Sequence, residues 1–169
     1  MLGAAHVATL DTHADLTTPD GLERVVDRIG DGDIDLVVNN AGFGTSGDFH
    51  DQDPDRVAAE VDLNVGALTR LSHAALSVMV PRGSGWLLNV SSIASFQPAP
   101  GLAVYAATKA YVTSLSESLH EGEGSQRSIL RVSLPAQTVS TGDYAQFARF
   151  CQAVDELATR PPRLERVAD

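Results

Sequence analysis

Short, near-continuous apolar runs alternate with longer stretches of helical period along this chain. "IDLVV" (34–38) and "WLLNV" (86–90) read as parallel strands, the first as a strand buried on both faces. "HVATL" (6–10) and "SILRVSL" (128–134), the latter stopped by Pro135, are read as further strands. Thr18 followed by Pro19 reads as an N-cap and first helical position. Leu22, Val25, Val26 and Ile29 continue at helical spacing, and Gly30 and Gly32 close that helix. Asp53 and Pro54 open a second helix, with an apolar stripe of Val57, Val61, Val65, Leu68, Leu71 and Val78, ended by Pro81, Gly83 and Gly85. A third helix spans about Leu102 to His120. Tyr144, Phe147, Phe150, Cys151, Val154 and Leu157 mark a last amphipathic helix before a polar tail over 160–169.

Strands alternating with helices predict a parallel α/β sheet, whose ligand crevice lies at the carboxyl ends of the strands. "NNAG" (39–42) leaves the first buried strand, "SS" (91–92) ends the next, and "PA" (135–136) follows the last. The 169 residues fit one domain able to bury a sizeable core. A net charge of −10 argues against nucleic acid and anionic membranes as partners. Cys151 is the only cysteine, so no internal disulfide forms and a reducing, cytoplasmic setting is expected. The five histidines lack metal-ligand spacing, no apolar run reaches membrane-spanning length, and no signal peptide is evident.

The chemistry concentrates in "YAATKA" (105–110), which holds the only lysine of the chain. Tyr105 and Lys109 are four apart on a predicted helix and share a face. An ammonium beside a phenol favours the phenolate, and a Tyr so tuned exchanges protons near neutral pH. Packing with a solvated Lys is the plainer reading of this pair. Ser92, at a strand end, is placed to hydrogen-bond a carbonyl oxygen that Tyr105 protonates; otherwise it is a turn serine. Asn64 sits mid-helix, where it is expected to loosen the helix and offer its amide and a freed carbonyl to water. In "NNAG", Asn side chains can bond backbone of adjacent loops, and Ala41 and Gly42 allow a ligand close to the chain. "GFGTSG" (42–47) fits G-x-G-x-x-G, but "DFHDQD" separates it from the next helix, and Asp48, Asp51, Asp53 and Asp55 disfavour a phosphate. It is not expected to cradle one.

Taken together, "NNAG", Asn64 in "LNVGAL", "NVSS" with Ser92, and "YAATK" resemble the short-chain dehydrogenase/reductase family, in order and spacing, over roughly residues 5–135. The resemblance implies a Rossmann-like three-layer αβα parallel sheet. It also implies hydride transfer between NAD or NADP and a small carbonyl or alcohol substrate. By that resemblance Tyr105 is the general acid/base, Lys109 lowers its pKa and holds the nicotinamide ribose, Ser92 positions the substrate oxygen, and Asn64 supports a water that relays protons to Lys109. Asp15 would reach the adenine, and Leu16, Asn40, Ala41, Gly42, Val90 and Pro135 join Tyr105 and Lys109 around the dinucleotide. "GFGTSGDF" and "SSIASFQPAPGLAVYAATKA" look like the branch of broad carbonyl or alcohol reductases.

Against that family pattern the chain is expected to lack the first two strands, their Gly-rich phosphate loop, and the last strand. Ala136 stands where the family has Gly. "HVATL" is expected to slide beside "IDLVV" into the empty slot, and Gly122 and Gly124 to fray the third helix. Two functions follow: an oxidoreductase, or an inactive remnant or partner-dependent domain that binds no dinucleotide alone. Family members often pair through the two long helices, so a homo-oligomer is expected.

Overall fold

The computed structural model describes residues 13–123. The elements over 6–10, 128–134 and 144–157, with Pro135, Cys151 and the polar tail, lie outside them. In chain order the helices are α1 (Pro19–Gly30), α2 (Pro54–Val61), α3 (Leu68–Arg82) and α4 (Ala103–Glu123). The strands are β1 (Leu36–Asn39) and β2 (Trp86–Asn89). Short 3₁₀ turns cover Phe49–Asp51 and Ile93–Phe96, and a π-helical turn covers Asp62–Ala67.

Local chemistry sets these ends. Thr18 caps α1 by accepting from the Gly21 amide at 3.1 Å, with Pro19 in the first turn. Asp53 caps α2 by accepting from Asp55 N at 3.0 Å. Gly83, at φ 67°, takes the left-handed position that closes α3. The last helix continues past His120 through Gly122 to Glu123.

β1 and β2 pair in parallel, Leu36 opposite Trp86 and Asn39 opposite Asn89. Val37 and Leu87 join Leu22 and Ile29 of α1 with Leu71, Ala75, Leu76 and Met79 of α3 in one core. Two residues along the strands, on the same face, Asn39 bonds Ser72 of α3 and Asn89 bonds Ser116 of α4. Thus α1, α3 and α4 all cover one face of the sheet. On the other face Leu36 and Val38 remain 37% and 48% exposed. Burial of "IDLVV" on both faces is therefore corrected to alternation, because no described helix lies over Leu36 and Val38.

The apolar stripe of the second helix is also corrected. Leu68 and Leu71 are buried, but Val61 is exposed. The π turn over Asp62–Ala67 adds a residue to one turn, so a stripe counted at 3.6 residues changes face there. No helix among the described residues is long and apolar enough to cross a membrane.

Candidate active site

The end of β2 is where the helix α4 is fastened. Val90 N extends the ladder by donating to Asn39 O at 3.0 Å. Val90 O then accepts the Lys109 ammonium at 2.8 Å. The buried Ser91 hydroxyl donates to the Lys109 carbonyl at 2.9 Å and lies 2.7 Å from the Thr113 hydroxyl. Ser92 follows as the cap of the 3₁₀ turn, its Oγ accepting from Ala94 N at 3.2 Å. Its carbonyl accepts from the Ser95 amide and hydroxyl.

One helical turn separates Tyr105 and Lys109 on α4. Lys109 is 6% exposed, and its Nζ stands 5.8 Å from the centre of the Tyr105 ring. Burial pushes the ammonium's pKa below its ordinary 10.5. A desolvated cation with one carbonyl partner acts strongly on nearby charge, because little water screens it.

Asn64 lies within the π turn and is fully buried. Its Nδ2 donates to Phe43 O at 2.8 Å and to Thr108 Oγ1 at 3.1 Å, and its Oδ1 accepts from Phe43 N at 3.1 Å. The expected loosened helix is present, but the amide is not offered to water. The 42–45 loop takes it, since a buried amide needs partners for all its polar atoms. Gly42 makes this approach possible, as a Cβ there would come within 2.7 Å of Asn64 Oδ1 and 3.9 Å of Lys109 Nζ. A Cβ on Gly44 would meet Tyr105 Cδ2 at 3.0 Å. Gly42 and Gly44 of "GFGTSG" thus let backbone lie against the Asn64 amide and the Tyr105 ring. The loop opens no α-helix, because the Phe49–Asp51 turn precedes α2.

A second cluster forms where β1 ends. Leu16, Asn40 and Ala41, with Ala14, Val37 and Val38, line a cleft of 260 Å³. Asp15 turns back on its own loop, Oδ1 accepting from the Thr17 hydroxyl at 2.7 Å and amide at 2.9 Å. The Thr17 hydroxyl holds that carboxyl below the usual carboxylate range. The structure therefore gathers Gly42, Asn64, Val90, Tyr105 and Lys109 at one place and Leu16, Asn40 and Ala41 at another, beside the same strand ends. Ser92 stands two residues past Val90.

Three features escaped the sequence reading. Asn39 bonds side chains, Ser72 Oγ at 3.1 Å and Asn89 Oδ1 at 2.8 Å, rather than loop backbone. Ser91, not only Ser92, matters, because it fixes α4. Glu60 is buried on α2 and accepts from Thr45 N at 2.8 Å. Its place four residues before Asn64 was the available signal, since i and i+4 share a helix face.

The short chain dehydrogenase family profile matches residues 2–143. The chain belongs to this family. An uncharacterized oxidoreductase of Staphylococcus epidermidis is 28% identical over 138 residues, covering 82% of this chain and 56% of that protein. A 3alpha-hydroxysteroid dehydrogenase of Mediterraneibacter gnavus is 40% identical over 88 residues, covering 52% of this chain and 35% of that protein. The matched part of the chain thus spans 56% and 35% of the length of these two relatives. Among solved structures, the bulky-bulky ketone specific alcohol dehydrogenase from Comamonas testosteroni superposes with a TM-score of 0.71 at 26% identity, covering 94% of this chain and 74% of that one. A short-chain dehydrogenase from Sphingobium yanoikuyae in complex with NADPH has the same fold, with a TM-score of 0.68, 24% identity, and coverage of 92% and 76%. The family carries a Rossmann-like α/β fold, and the parallel pair β1–β2 with its helices is the part of it that the described residues form.

Proposed function

We propose that this protein is an NAD(P)-dependent oxidoreductase that interconverts a small carbonyl compound and its alcohol. The observation that carries the reading is the buried Lys109 ammonium, held by Val90 O at 2.8 Å with the Tyr105 ring 5.8 Å away. The residues present fit one part of the cofactor, the cleft at Leu16, Asn40 and Ala41 taking the adenine end; Gly42, Val90 and Lys109 are assigned the nicotinamide ribose on the family resemblance. Asp15 borders that cleft in sequence and is assigned the adenine. Bound nicotinamide supplies or accepts the hydride.

The chain's own residues handle the proton. In the reducing direction the Tyr105 hydroxyl gives its proton to the substrate oxygen, and Ser92 donates a hydrogen bond to that oxygen. The positive charge of Lys109 stabilises the negative charge left on Tyr105. The Asn64 side chain orders the loop beside Lys109, and the Asn64 main-chain carbonyl is assigned the water through which the proton is restored. Pro135 is assigned to the cofactor's far side on the family resemblance alone. A second copy is placed against the groove of Leu76, Val80, Leu115 and Leu119 between α3 and α4, in a cytoplasmic setting.

A second reading, a domain that holds no dinucleotide by itself, is favoured by the outer edge of β1, which has no strand partner among the described residues. Fluorescence titration of NADH and NADPH into the purified chain separates the two. Saturable binding followed by reduction in a carbonyl screen supports the oxidoreductase. Absence of binding to folded, monodisperse protein supports the second reading.

A further inference from the structure

The loop over 42–45 is held against α4 from below by two side chains one helical turn apart. Asn64 takes both polar groups of the Phe43 peptide. Glu60 takes the amide two residues on, Thr45 N, at 2.8 Å. Between these two anchors lies Gly44, packed so close to Tyr105 that a Cβ would stand 3.0 Å from the ring. The position of the Gly44 backbone over Tyr105 is therefore set from both sides.

Glu60 is an expensive way to hold one amide. It is 0% exposed, and neither its Oε1 nor the neighbouring Thr45 Oγ1 has a hydrogen-bond partner in the protein. Buried polar atoms without partners weaken a fold, and this carboxyl gives up water at both oxygens to regain one bond. Stability alone does not account for a carboxyl at this position. The geometry points to Glu60 as a positioning residue: through Thr45 N it fixes the Gly44 backbone over Tyr105 and so fixes the orientation of the proposed acid/base. This claim rests on the proposed role of Tyr105, but the clamp itself does not.

The test compares Glu60→Leu, Glu60→Met and Glu60→Gln in the whole chain. Gln keeps a carbonyl oxygen for Thr45 N; Leu and Met do not. Amide hydrogen exchange reads the clamp without any need for activity. Thr45 should exchange at least about tenfold faster in the Leu variant, and by a larger factor than the core amides of α3, which report only the global loss from the orphaned Thr45 N. The Gln variant should match the parent. With a carbonyl substrate and saturating NADPH, Leu should lower kcat by about tenfold or more and leave KM within about threefold, since misorientation acts on the reacting geometry. Unchanged Thr45 exchange in a folded Leu variant overturns the clamp. Faster exchange with unchanged kcat overturns the positioning role. If Leu fails to fold, the flexible Met variant is judged by the same readouts. If the parent chain reduces no carbonyl, the oxidoreductase reading and the positioning role both fail, and exchange still decides the clamp.

Discussion

Asn64 grips the peptide of Phe43 as a neighbouring strand would, donating to its carbonyl at 2.8 Å and accepting from its amide at 3.1 Å. One side chain from a π turn thus acts as a strand partner and fixes the loop that leaves β1. Replacing it with Leu orphans both Phe43 groups and leaves Thr108 Oγ1 with only its bond to the Tyr105 carbonyl. Each lost buried bond costs about 1 kcal/mol or more, so Asn64→Leu should destabilise the chain by roughly 2–4 kcal/mol. Urea denaturation measures this, and a loss under about 1 kcal/mol would contradict the proposed anchor.

Tyr105→Phe removes only the phenolic oxygen and keeps the ring that packs against Gly44. Any carbonyl reduction found for the parent chain should disappear while the melting temperature changes by no more than about 2 °C. A Phe variant with parental turnover would refute the acid/base assignment.

Gly42 and Gly66 should respond oppositely to alanine. A Cβ at Gly42 meets Asn64 Oδ1 at 2.7 Å, whereas at Gly66 it meets nothing within 4 Å. Gly42→Ala should cost about 1–3 kcal/mol through overpacking. Gly66→Ala sits in helical backbone and should gain up to about 1 kcal/mol. Thermal and urea unfolding of the pair decides the matter; a stabilised Gly42→Ala would show that the loop is not held against Asn64.

The buried Lys109 sets a pH dependence with a definite sign. Burial lowers its native pKa below 10.5, its value in the unfolded chain. Through the window between those two values the unfolded chain holds the extra proton, so rising pH favours the folded state. The burden of the buried charge is full below the native pKa and is relieved by about pH 10.5. Relative to Lys109→Met, in which other titrations cancel, the parent should gain stability as pH rises towards 10.5. A difference that stays flat or falls would mean that the ammonium is not desolvated.

Much of the layout follows from residue order alone. Thr18 with Pro19, Asp53 with Pro54, and Gly83 act within a turn of themselves, so local geometry settles the ends they mark. Tyr105 and Lys109 share a face because helical period puts them there. The motifs also sufficed for family membership, since their order and spacing need no coordinates.

Other features depend on contacts between residues far apart in the chain. That α1, α3 and α4 crowd one face of the sheet, leaving Leu36 and Val38 open, is a property of packing that no run of apolar residues encodes. The π turn at Asn64 arises where a helix must bring one amide to Phe43, 21 residues away. The sequence could mark Asn64 as misplaced in a helix, and only the fold showed which loop it holds. Ser91 and Glu60 read as ordinary polar residues until tertiary structure buried them against Lys109 and Thr45. The sequence by itself determined the described helices and strands, the ends marked by Thr18, Asp53 and Gly83, and the shared face of Tyr105 and Lys109, because these follow from short-range geometry. Tertiary structure decided the loop over Tyr105 and the anchors beneath it, because a buried hydrogen bond is specified by two distant positions at once.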